Sequence, residues 1–586
     1  MKSLAAYCLL MLFACIAKGQ YYLRGEVKDD KGNTLQNVKI FQHSTRSMYQ
    51  TGPWGSFGIK SLLRTDSLTF TLDGYETSSQ SFSHNQWQTV VLKASTVNSN
   101  KSKPRLISFS GNETNEGRFS SAFDNETYFK LVENDFVPAL QYPKNSFSLN
   151  VNKASYSNVR RFINMQSKVP ADAVKIEEMV NYFNLFYHKP YNNDLFNIET
   201  QLSSCPWNPN GQLLFLNVSA RKLDLSKIPP ANLVFLIDVS GSMDMPNRLP
   251  LLKAAFQLFV RNLRPIDQVS IVVYGGSVGV WLEPTSGIYK DSIARSIEQL
   301  TASGDTPGES AIRAAYNLAR KTYIANGVNR VILATDGDFN VGEKSEEALE
   351  ELITLQKQSG VYLTCLGVGM GNFKDSKLQT LAKKGNGNYA YIDDIMEAEK
   401  VLVQEITQTF YAVADDVVMN VEFNPLWVKQ YRLIGFDNRR DAVTDPSSYI
   451  EGGEIGSGSS TLAMFELIPA NQALADSQHI ALIKLRYSLC NNPDVEYLSY
   501  PVNNNFETFN RLNNELKLAT SIAMFGMQLR NSKYLGSTSW QMIYDVALQS
   551  ANTSNFLQNE YLSLIQKADE LYNGPKKKSR KNKKKD

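Results

Sequence analysis

Four short, unbroken apolar runs constrain the fold of this 586-residue chain more than any other feature. These runs are Leu233–Ile237, Val269–Val273, Val331–Ala334 and Val361–Leu366. Unbroken apolar residues, rather than alternating ones, are typical of strands buried on both faces of a parallel sheet. The helix predicted between the first two runs has an apolar face made of Leu252, Ala255, Phe256, Phe259 and Leu263. Alternating strands and helices predict a doubly wound α/β domain over residues 231–412.

The segments on either side of this domain have different patterns. Residues 20–94 contain short apolar stretches separated by turn residues, which predicts a small antiparallel β-sandwich. Residues 95–118 are rich in Ser, Asn and Lys and are expected to form a linker. Residues 119–230 are a mixed flanking region, and residues 413–572 are predicted to form an α+β region in which strands precede helices. The chain is therefore predicted to be multidomain.

The N-terminus has the pattern of an export signal. Lys2 precedes an apolar run, Leu4–Ala17, and small residues stand three and one positions before a cut at Gln20. This pattern predicts a secretory signal peptide over residues 1–19. The alternative left open is a lipoprotein signal with Cys15 as the lipidated residue. Both interpretations predict an exported protein of the periplasm, outer membrane or cell surface, and no later segment is long and apolar enough to span a membrane.

The C-terminal tail, residues 573–586, is strongly basic. Lys576–Asp586 holds eight basic residues and one acid, and is expected to be disordered. A solvated chain end is the favoured interpretation, and contact with an anionic membrane surface is the alternative. Because an exported protein meets little nucleic acid, no nucleic-acid partner is expected.

Three cysteines, Cys205, Cys365 and Cys490, remain after the predicted signal peptide. An odd and widely spaced set is not typical of a disulfide framework. Cys365 lies in an apolar run and is expected to be buried in the core. A pairing of Cys205 with Cys490 is left open.

Acidic and hydroxyl side chains stand where two of the predicted strands end. Asp238 follows the first strand, with Ser240 and Ser242 two and four positions later, and Asp336 follows the third strand. Thr306 precedes a later helix. Ligands of an open α/β sheet bind beyond the carboxyl ends of its strands, so these side chains are expected to meet there.

The candidate ligand atoms are all hard oxygens, which suit Mg²⁺, Mn²⁺ or Ca²⁺ better than zinc or copper. Neutral hydroxyls leave most of the ion's charge uncompensated, so the ion is expected to attract a carboxylate from outside. The aspartates are better placed behind the hydroxyls, where they orient them and the bound waters. The expected partner is a protein that offers an Asp or Glu side chain.

The order Asp-x-Ser-x-Ser, then Thr, then Asp resembles the metal-ion-dependent adhesion site of von Willebrand factor type A domains. The matching residues are Asp238, Ser240, Ser242, Thr306 and Asp336. The resemblance implies that the three hydroxyls bind the ion directly and that the two aspartates act mainly through water. One departure is Asp305, which stands where the family usually has a small residue and would add charge near the ion.

The flanking segments resemble further families. Residues 20–94 resemble the carboxypeptidase-regulatory-like (transthyretin-like) domain common on exported Bacteroidetes proteins, which implies a structural or adhesive module without catalysis. Residues 147–220 and 413–572 resemble the segments that flank the type A domain in one group of exported bacterial proteins. The pieces that carry this second resemblance are Ala154–Phe162, Ile176–Phe183, Cys205–Pro209 and Ile522–Arg530.

Two glycine patterns that suggest an enzyme fit poorly, and the histidines form no catalytic or zinc-binding pattern. Gly275-Gly-Ser277-Val-Gly279 matches a hydrolase elbow, but the strand-like residues after it favour a hairpin. Gly367-Val-Gly369-Met-Gly371 has its last glycine misplaced for a dinucleotide loop, and the four histidines are scattered. The sequence therefore predicts a metal-dependent protein-binding or adhesion protein rather than an enzyme. A scaffold whose metal only stabilises loops is the second candidate, and a metal-assisted hydrolase is the third.

Overall fold

The computed structural model divides the chain into two compact units, residues 1–115 and 116–586. The residues it describes are 21–45, 47–52, 55–61, 63–72, 74–84, 86–93, 126–192, 194–224, 228–275, 277–304, 308–337, 346–357, 359–371, 373–437, 450–470, 479–490 and 494–574. The signal peptide predicted over residues 1–19, the linker predicted over residues 95–118 and the lysine-rich stretch 576–586 lie outside these ranges.

The first unit is a two-layer β-sandwich. Its strands are β1 (Tyr21–Asp29), β2 (Lys39–Gln42), β3 (Ser47–Gln50), β4 (Ser56–Ser61), β5 (Thr65–Thr71), β6 (Ser78–Ser83) and β7 (Trp87–Leu92). One sheet has the order β4-β1-β7 and the other β3-β2-β5-β6, and apolar residues from both sheets share one core. The predicted small β-sandwich is present, but its antiparallel pattern is wrong at one pair, because β1 and β7 run parallel. The last strand returns from the other sheet instead of turning back in a hairpin.

The second unit begins with a mixed segment. Its elements are β8 (Val137–Pro138), β9 (Lys144–Ser148), α1 (Ala154–Asn164), α2 (Ile176–Asn181), β10 (Phe196–Cys205) and β11 (Asn208–Ala220). The helices α1 and α2 fall where apolar residues recur at helical spacing.

The doubly wound domain follows. Its elements are β12 (Ala231–Asp238), α3 (Leu249–Arg261), β13 (Gln268–Gly275), β14 (Ser277–Ser286), α4 (Lys290–Glu298), α5 (Gly308–Lys321), β15 (Val328–Thr335), α6 (Glu346–Lys357), β16 (Tyr362–Val368), α7 (Asp375–Lys384), β17 (Tyr389–Ile392), α8 (Ile395–Glu399) and α9 (Ile406–Phe410). The sheet order is β14-β13-β12-β15-β16-β17, parallel except for the edge strand β14. All eight residues of β12 are buried, since α3 and α4 cover one face of the sheet and α5, α6 and α7 the other. The predicted doubly wound α/β fold is confirmed.

The remaining elements are β18 (Ala412–Phe423), β19 (Val428–Ile434), β20 (Gly453–Gly456), β21 (Ser460–Pro469), β22 (Ala481–Leu489), β23 (Val495–Val502), β24 (Phe506–Glu507), α10 (Asn514–Leu529), α11 (Trp540–Ser550) and α12 (Phe556–Asn573). The strands come first and the helices last, as predicted. Helix α10 is buried along most of its length, also as predicted. Gly526 allows its close approach to α2, because a Cβ there would stand 3.0 Å from Ile176 Cγ1.

The segments before and after the doubly wound domain build two sheets together. In one sheet, β11 lies between β10 and β21, and in the other β18 pairs with both β9 and β22. Apolar residues of these two sheets share a core. The sequence pattern changes at residues 230 and 412, but strands from before residue 230 pair with strands from after residue 412.

Buried ion pairs join the flanking segments to the doubly wound domain. Arg160 of α1 donates to Asp393 Oδ2 at 2.8 Å and to Glu397 Oε2 at 2.9 Å. Breaking a buried pair of this kind by removing one partner typically costs about 3–5 kcal/mol. These contacts therefore stabilise one particular placement of the domain on its flanks.

The cysteines described in the structure are all free. Cys365 is fully buried in β16, as predicted. The pairing of Cys205 with Cys490 does not occur: Cys205 packs in the core formed by the helices, whereas Cys490 follows β22 and faces the charge of Asp415. None of the helices within the described residues has the length and apolar character needed to cross a membrane.

Candidate metal centre

Two adjacent strands bring the predicted acidic residues together. β12 and β15 pair in parallel, with Ile237 opposite Ala334, so both chains leave the sheet at the same edge. Asp238 closes the first strand, and Asp336 follows the second directly. The carboxyl ends of parallel strands are where an open α/β sheet binds ligands.

The loop after β12 brings the two serines together. The Ser240 amide donates to Asp238 Oδ1 at 2.9 Å, which turns the chain back toward the strand end. A short 3₁₀ turn, Gly241–Met243, then places the Ser242 hydroxyl 3.1 Å from the Ser240 hydroxyl. Ser240 is buried and Ser242 is exposed, so the pair of hydroxyls opens to solvent on one side.

The predicted third hydroxyl ligand, Thr306, and its neighbour Asp305 lie outside the described residues. The loop that leads to them is described as far as Gly304, whose carbonyl accepts a hydrogen bond from the Gly241 amide at 3.0 Å. The Ser303 amide donates to the Val239 carbonyl at 2.6 Å. These two bonds bring the described end of that loop beside the serines.

Asp238 is fully buried and accepts hydrogen bonds on both oxygens. Besides the Ser240 amide on Oδ1, the Thr335 hydroxyl donates to Oδ2 at 2.8 Å. Burial raises the pKa of Asp238 to about 6; hydrogen bonds from Ser240 oppose this shift, and the charge of Asp336 adds to it. The carboxylate therefore orients the serine loop from behind, out of contact with bulk solvent.

Arg248, which the sequence interpretation did not single out, is the partner of Asp336. Its Nη1 donates to Asp336 Oδ2 at 2.7 Å and to the Ser242 carbonyl at 2.6 Å. Its Nη2 donates to the Met370 carbonyl at 2.9 Å. One local signal was present in the sequence: Arg248 stands directly before α3, where the helix dipole disfavours a cation.

Gly369 makes room for this arginine. Its φ is +81°, and a Cβ at this position would lie 2.6 Å from Arg248 Nε. The glycine pattern that superficially suggested a dinucleotide loop therefore accommodates the guanidinium. The other glycine pattern is a hairpin, as predicted, with Gly275 opposite Ser277 in the β13–β14 pair.

The donor set fits a hard divalent cation. In an octahedral Mg²⁺ site with bonds of 2.0–2.1 Å, neighbouring ligand oxygens lie about 3 Å apart, and the two serine hydroxyls have that separation. Across the described residues, no three His, Cys, Asp or Glu side chains form a cluster that could hold a metal ion by themselves. The candidate ligands are instead neutral hydroxyl oxygens, with two carboxylates behind them. Hard oxygen ligands of this kind favour a hard cation over zinc.

Comparison with known proteins follows the same division of the chain. Residues 232–408 match the von Willebrand factor type A domain family, and residues 122–215 match a family described as "von Willebrand factor". Residues 408–571 match the family described as "Uncharacterized protein YfbK, C-terminal".

Individual relatives cover different shares of the chain. "Uncharacterized protein YfbK" of Escherichia coli (strain K12) is 36% identical over 470 residues, 75% of this chain and 81% of that protein. "Inter-alpha-trypsin inhibitor heavy chain H2" of Sus scrofa is 28% identical over 203 residues, 33% of this chain and 21% of that protein. Among solved structures, "von Willebrand factor type A from Catenulispora acidiphila" has a TM-score of 0.39 and 12% identity, covering 64% of this chain and 91% of that one.

The 470 residues aligned with the Escherichia coli protein exceed the length of the type A domain, and family models match the chain on both sides of that domain. The chain belongs to the YfbK family of von Willebrand factor type A domain proteins.

Proposed function

We propose that this protein binds another protein through a divalent cation, with Mg²⁺, Mn²⁺ or Ca²⁺ held by the hydroxyls of Ser240, Ser242 and Thr306. The observation that carries the proposal is the pair of serine hydroxyls, 3.1 Å apart, with one buried and one exposed member. When bound, the cation supplies a coordination position for a carboxylate from an Asp or Glu of the partner. Type A domains typically mediate protein interactions, which supports the same function.

The residues behind the serines position them. Asp238 holds the Ser240 amide, and Asp336, through Arg248, is linked to the Ser242 carbonyl. Both aspartates would act on the cation mainly through a bound water, as the resemblance implies, because Asp238 accepts hydrogen bonds on both oxygens and Asp336 already pairs with an arginine. The serine loop is thereby held in place before any partner arrives.

The proposed location is the cell envelope. The predicted signal peptide supports export to the periplasm, the outer membrane or the cell surface, and lipidation at Cys15 is the alternative form of anchoring. The N-terminal sandwich is proposed to be a carboxypeptidase-regulatory-like module that adds structural or adhesive surface. For the basic tail, a solvated chain end is the favoured role, and contact with an anionic membrane surface is the alternative.

We propose no catalytic role for the site. A hydrolase would need a general base within reach of an attacking group. Asp238 is buried and accepts hydrogen bonds on both oxygens, and Asp336 forms an ion pair with Arg248. Neither carboxylate is therefore placed to act as the general base on an attacking water.

A calorimetric titration of Mn²⁺ and Mg²⁺ into the metal-stripped mature protein tests the proposal. Saturable binding of one ion is expected, and Ser242→Ala should weaken it by at least about tenfold through loss of a ligand oxygen. Ser277→Ala is the matched control, since Ser277 is an exposed serine of the same domain in the β13–β14 hairpin. Equal binding by the wild type and Ser242→Ala would favour the scaffold interpretation.

A further inference from the structure

The cation site contains a built-in positive charge. Arg248 is 8% exposed, and its guanidinium contacts Asp336, the Ser242 carbonyl and the Met370 carbonyl. A guanidinium beside a site for a divalent cation repels that cation. The presence of Arg248 at this position therefore requires a physical explanation.

Without the arginine, the metal-free site would hold two neighbouring carboxylates and would lack the positive charge that pairs with Asp336. Asp238 and Asp336 are close enough for the charge of one to raise the pKa of the other. Two buried carboxylates repel each other across a medium of low polarity. The ion pair from Arg248 to Asp336 neutralises one of them, and the same guanidinium holds the serine loop through the Ser242 carbonyl.

The charges of the surrounding side chains also determine the net charge of the site once a divalent cation is bound. Asp238, Asp336 and Arg248 together carry one net negative charge when all are ionised. A divalent cation would leave one net positive charge, which a single carboxylate cancels. Asp244 is exposed, so its charge is screened by solvent and enters this balance weakly. The balance covers the described residues, and Asp305 lies outside them.

We propose that Arg248 is the positioning residue that makes cation binding depend on an anionic partner ligand. This inference rests on the proposed function and deepens it. With Arg248 present, the cation alone is held weakly, and the cation together with a carboxylate is held well. With Arg248 neutral, the cation alone would already balance the two aspartates, and a carboxylate would add little.

Titration of Mn²⁺ into the metal-stripped mature protein, with and without acetate at constant ionic strength, tests this. Arg248→Gln should bind Mn²⁺ about tenfold or more tightly than the wild type when acetate is absent. Acetate should tighten Mn²⁺ binding several-fold in the wild type and have little effect in Arg248→Gln. Arg261→Gln, at the exposed far end of α3, is the matched control and should behave as the wild type.

A second variant separates charge from hydrogen bonding. Arg248→Lys keeps the positive charge and loses the guanidinium fork, so it should retain the acetate effect. If Arg248→Lys instead behaves as Arg248→Gln does, or if Arg248→Gln binds Mn²⁺ no more tightly than the wild type, the proposal is overturned. Acetamide in place of acetate checks the wild type independently, because a neutral analogue should not tighten Mn²⁺ binding.

Ser240→Ala distinguishes this inference from the proposed function. Mn²⁺ binding that is lost in Ser240→Ala but unchanged in Arg248→Gln would support the cation site and overturn only the role of the arginine. Absence of Mn²⁺ binding in the wild type and in every variant, with acetate or without, would overturn both.

Discussion

Arg330 of β15 and Glu454 of β20 form a buried ion pair with two hydrogen bonds, of 3.0 Å from Nη1 and 2.8 Å from Nη2. Both side chains are 1% exposed. The pair connects the central sheet of the type A domain to a strand of the flanking sheets. The change in the free energy of unfolding when this pair is removed should therefore measure how strongly the domain is attached to its flanks.

Replacing Glu454 by Ala should lower the free energy of unfolding by about 3–5 kcal/mol, because the Arg330 charge stays buried without its partner. Chemical denaturation monitored by circular dichroism measures the change. Glu422→Ala, in an exposed pair with Lys484, is the control and should cost no more than about 1 kcal/mol. Comparable losses in the two variants would show that the buried pair does not stabilise the junction.

The cation affinity should fall in mild acid, because burial raises the pKa of Asp238 to about 6. Below this pH the side chain is protonated and loses the charge that attracts the ion, so Mn²⁺ binding at pH 5 should be about tenfold weaker than at pH 7. In the metal-free protein, Asp238 holds a proton that the unfolded chain releases between about pH 4 and pH 6. Its contribution to stability is therefore present below pH 4 and is lost as the pH rises through 6.

Calorimetry at pH 5, 7 and 8 measures the affinity, and melting curves of the metal-free protein measure the stability. Asp238→Asn should remove this contribution to the pH slope of stability. Wild-type Mn²⁺ affinity that is constant between pH 5 and 7 would contradict the assignment of a raised pKa to a carboxylate that supports the cation.

Gly369→Ala should destabilise the loop beside the site for two reasons. An alanine at a φ of +81° is strained, and its Cβ would meet Arg248 Nε at 2.6 Å. The expected loss is about 1–3 kcal/mol of unfolding free energy. In an Arg248→Ala background the clash is absent, so a smaller loss is expected there, and a double-mutant cycle measures the difference. Equal losses in the two backgrounds would assign the whole effect to backbone strain.

Glu126 should hold the same loop from its other side. It accepts a hydrogen bond from the Gly371 amide at 2.8 Å and pairs with both terminal nitrogens of Arg161 at 2.7 Å. Glu126→Gln should weaken this ion pair and speed amide hydrogen exchange in the segment that follows β16. Glu199→Gln, which affects an exposed pair with His188, should leave that exchange unchanged. Identical exchange in the two variants would rule out Glu126 as a restraint on the loop.

The sequence predicted those parts of the fold whose causes are local. The strands of the doubly wound domain are apolar along their whole length because helices cover both faces, and this produces unbroken runs such as Val331–Ala334. The clustering of Asp238, Ser240 and Ser242 follows from a single loop at a strand end. Patterns of this kind are visible within ten or so residues of sequence.

Features that depend on distant partners were not visible in one sequence. The pairing of β11 with β21 joins parts of the chain on opposite sides of an entire domain, and neither strand carries a mark of its partner. Likewise Arg248 contacts Asp336 from 88 residues away. A cation directly before a helix is unfavourable and could be noticed in the sequence, but the sequence did not show which carboxylate pairs with it.

The type A domain is inserted into the flanking structure and is attached to it by two covalent connections. The chain enters the domain after β11 and leaves it into β18, and these two strands belong to the two sheets that share one core. Two connections and the buried ion pairs to the flanks therefore restrain the orientation of the domain more than a single linker would. A force applied by a partner at the proposed cation site would therefore act on the two sheets through both connections at once.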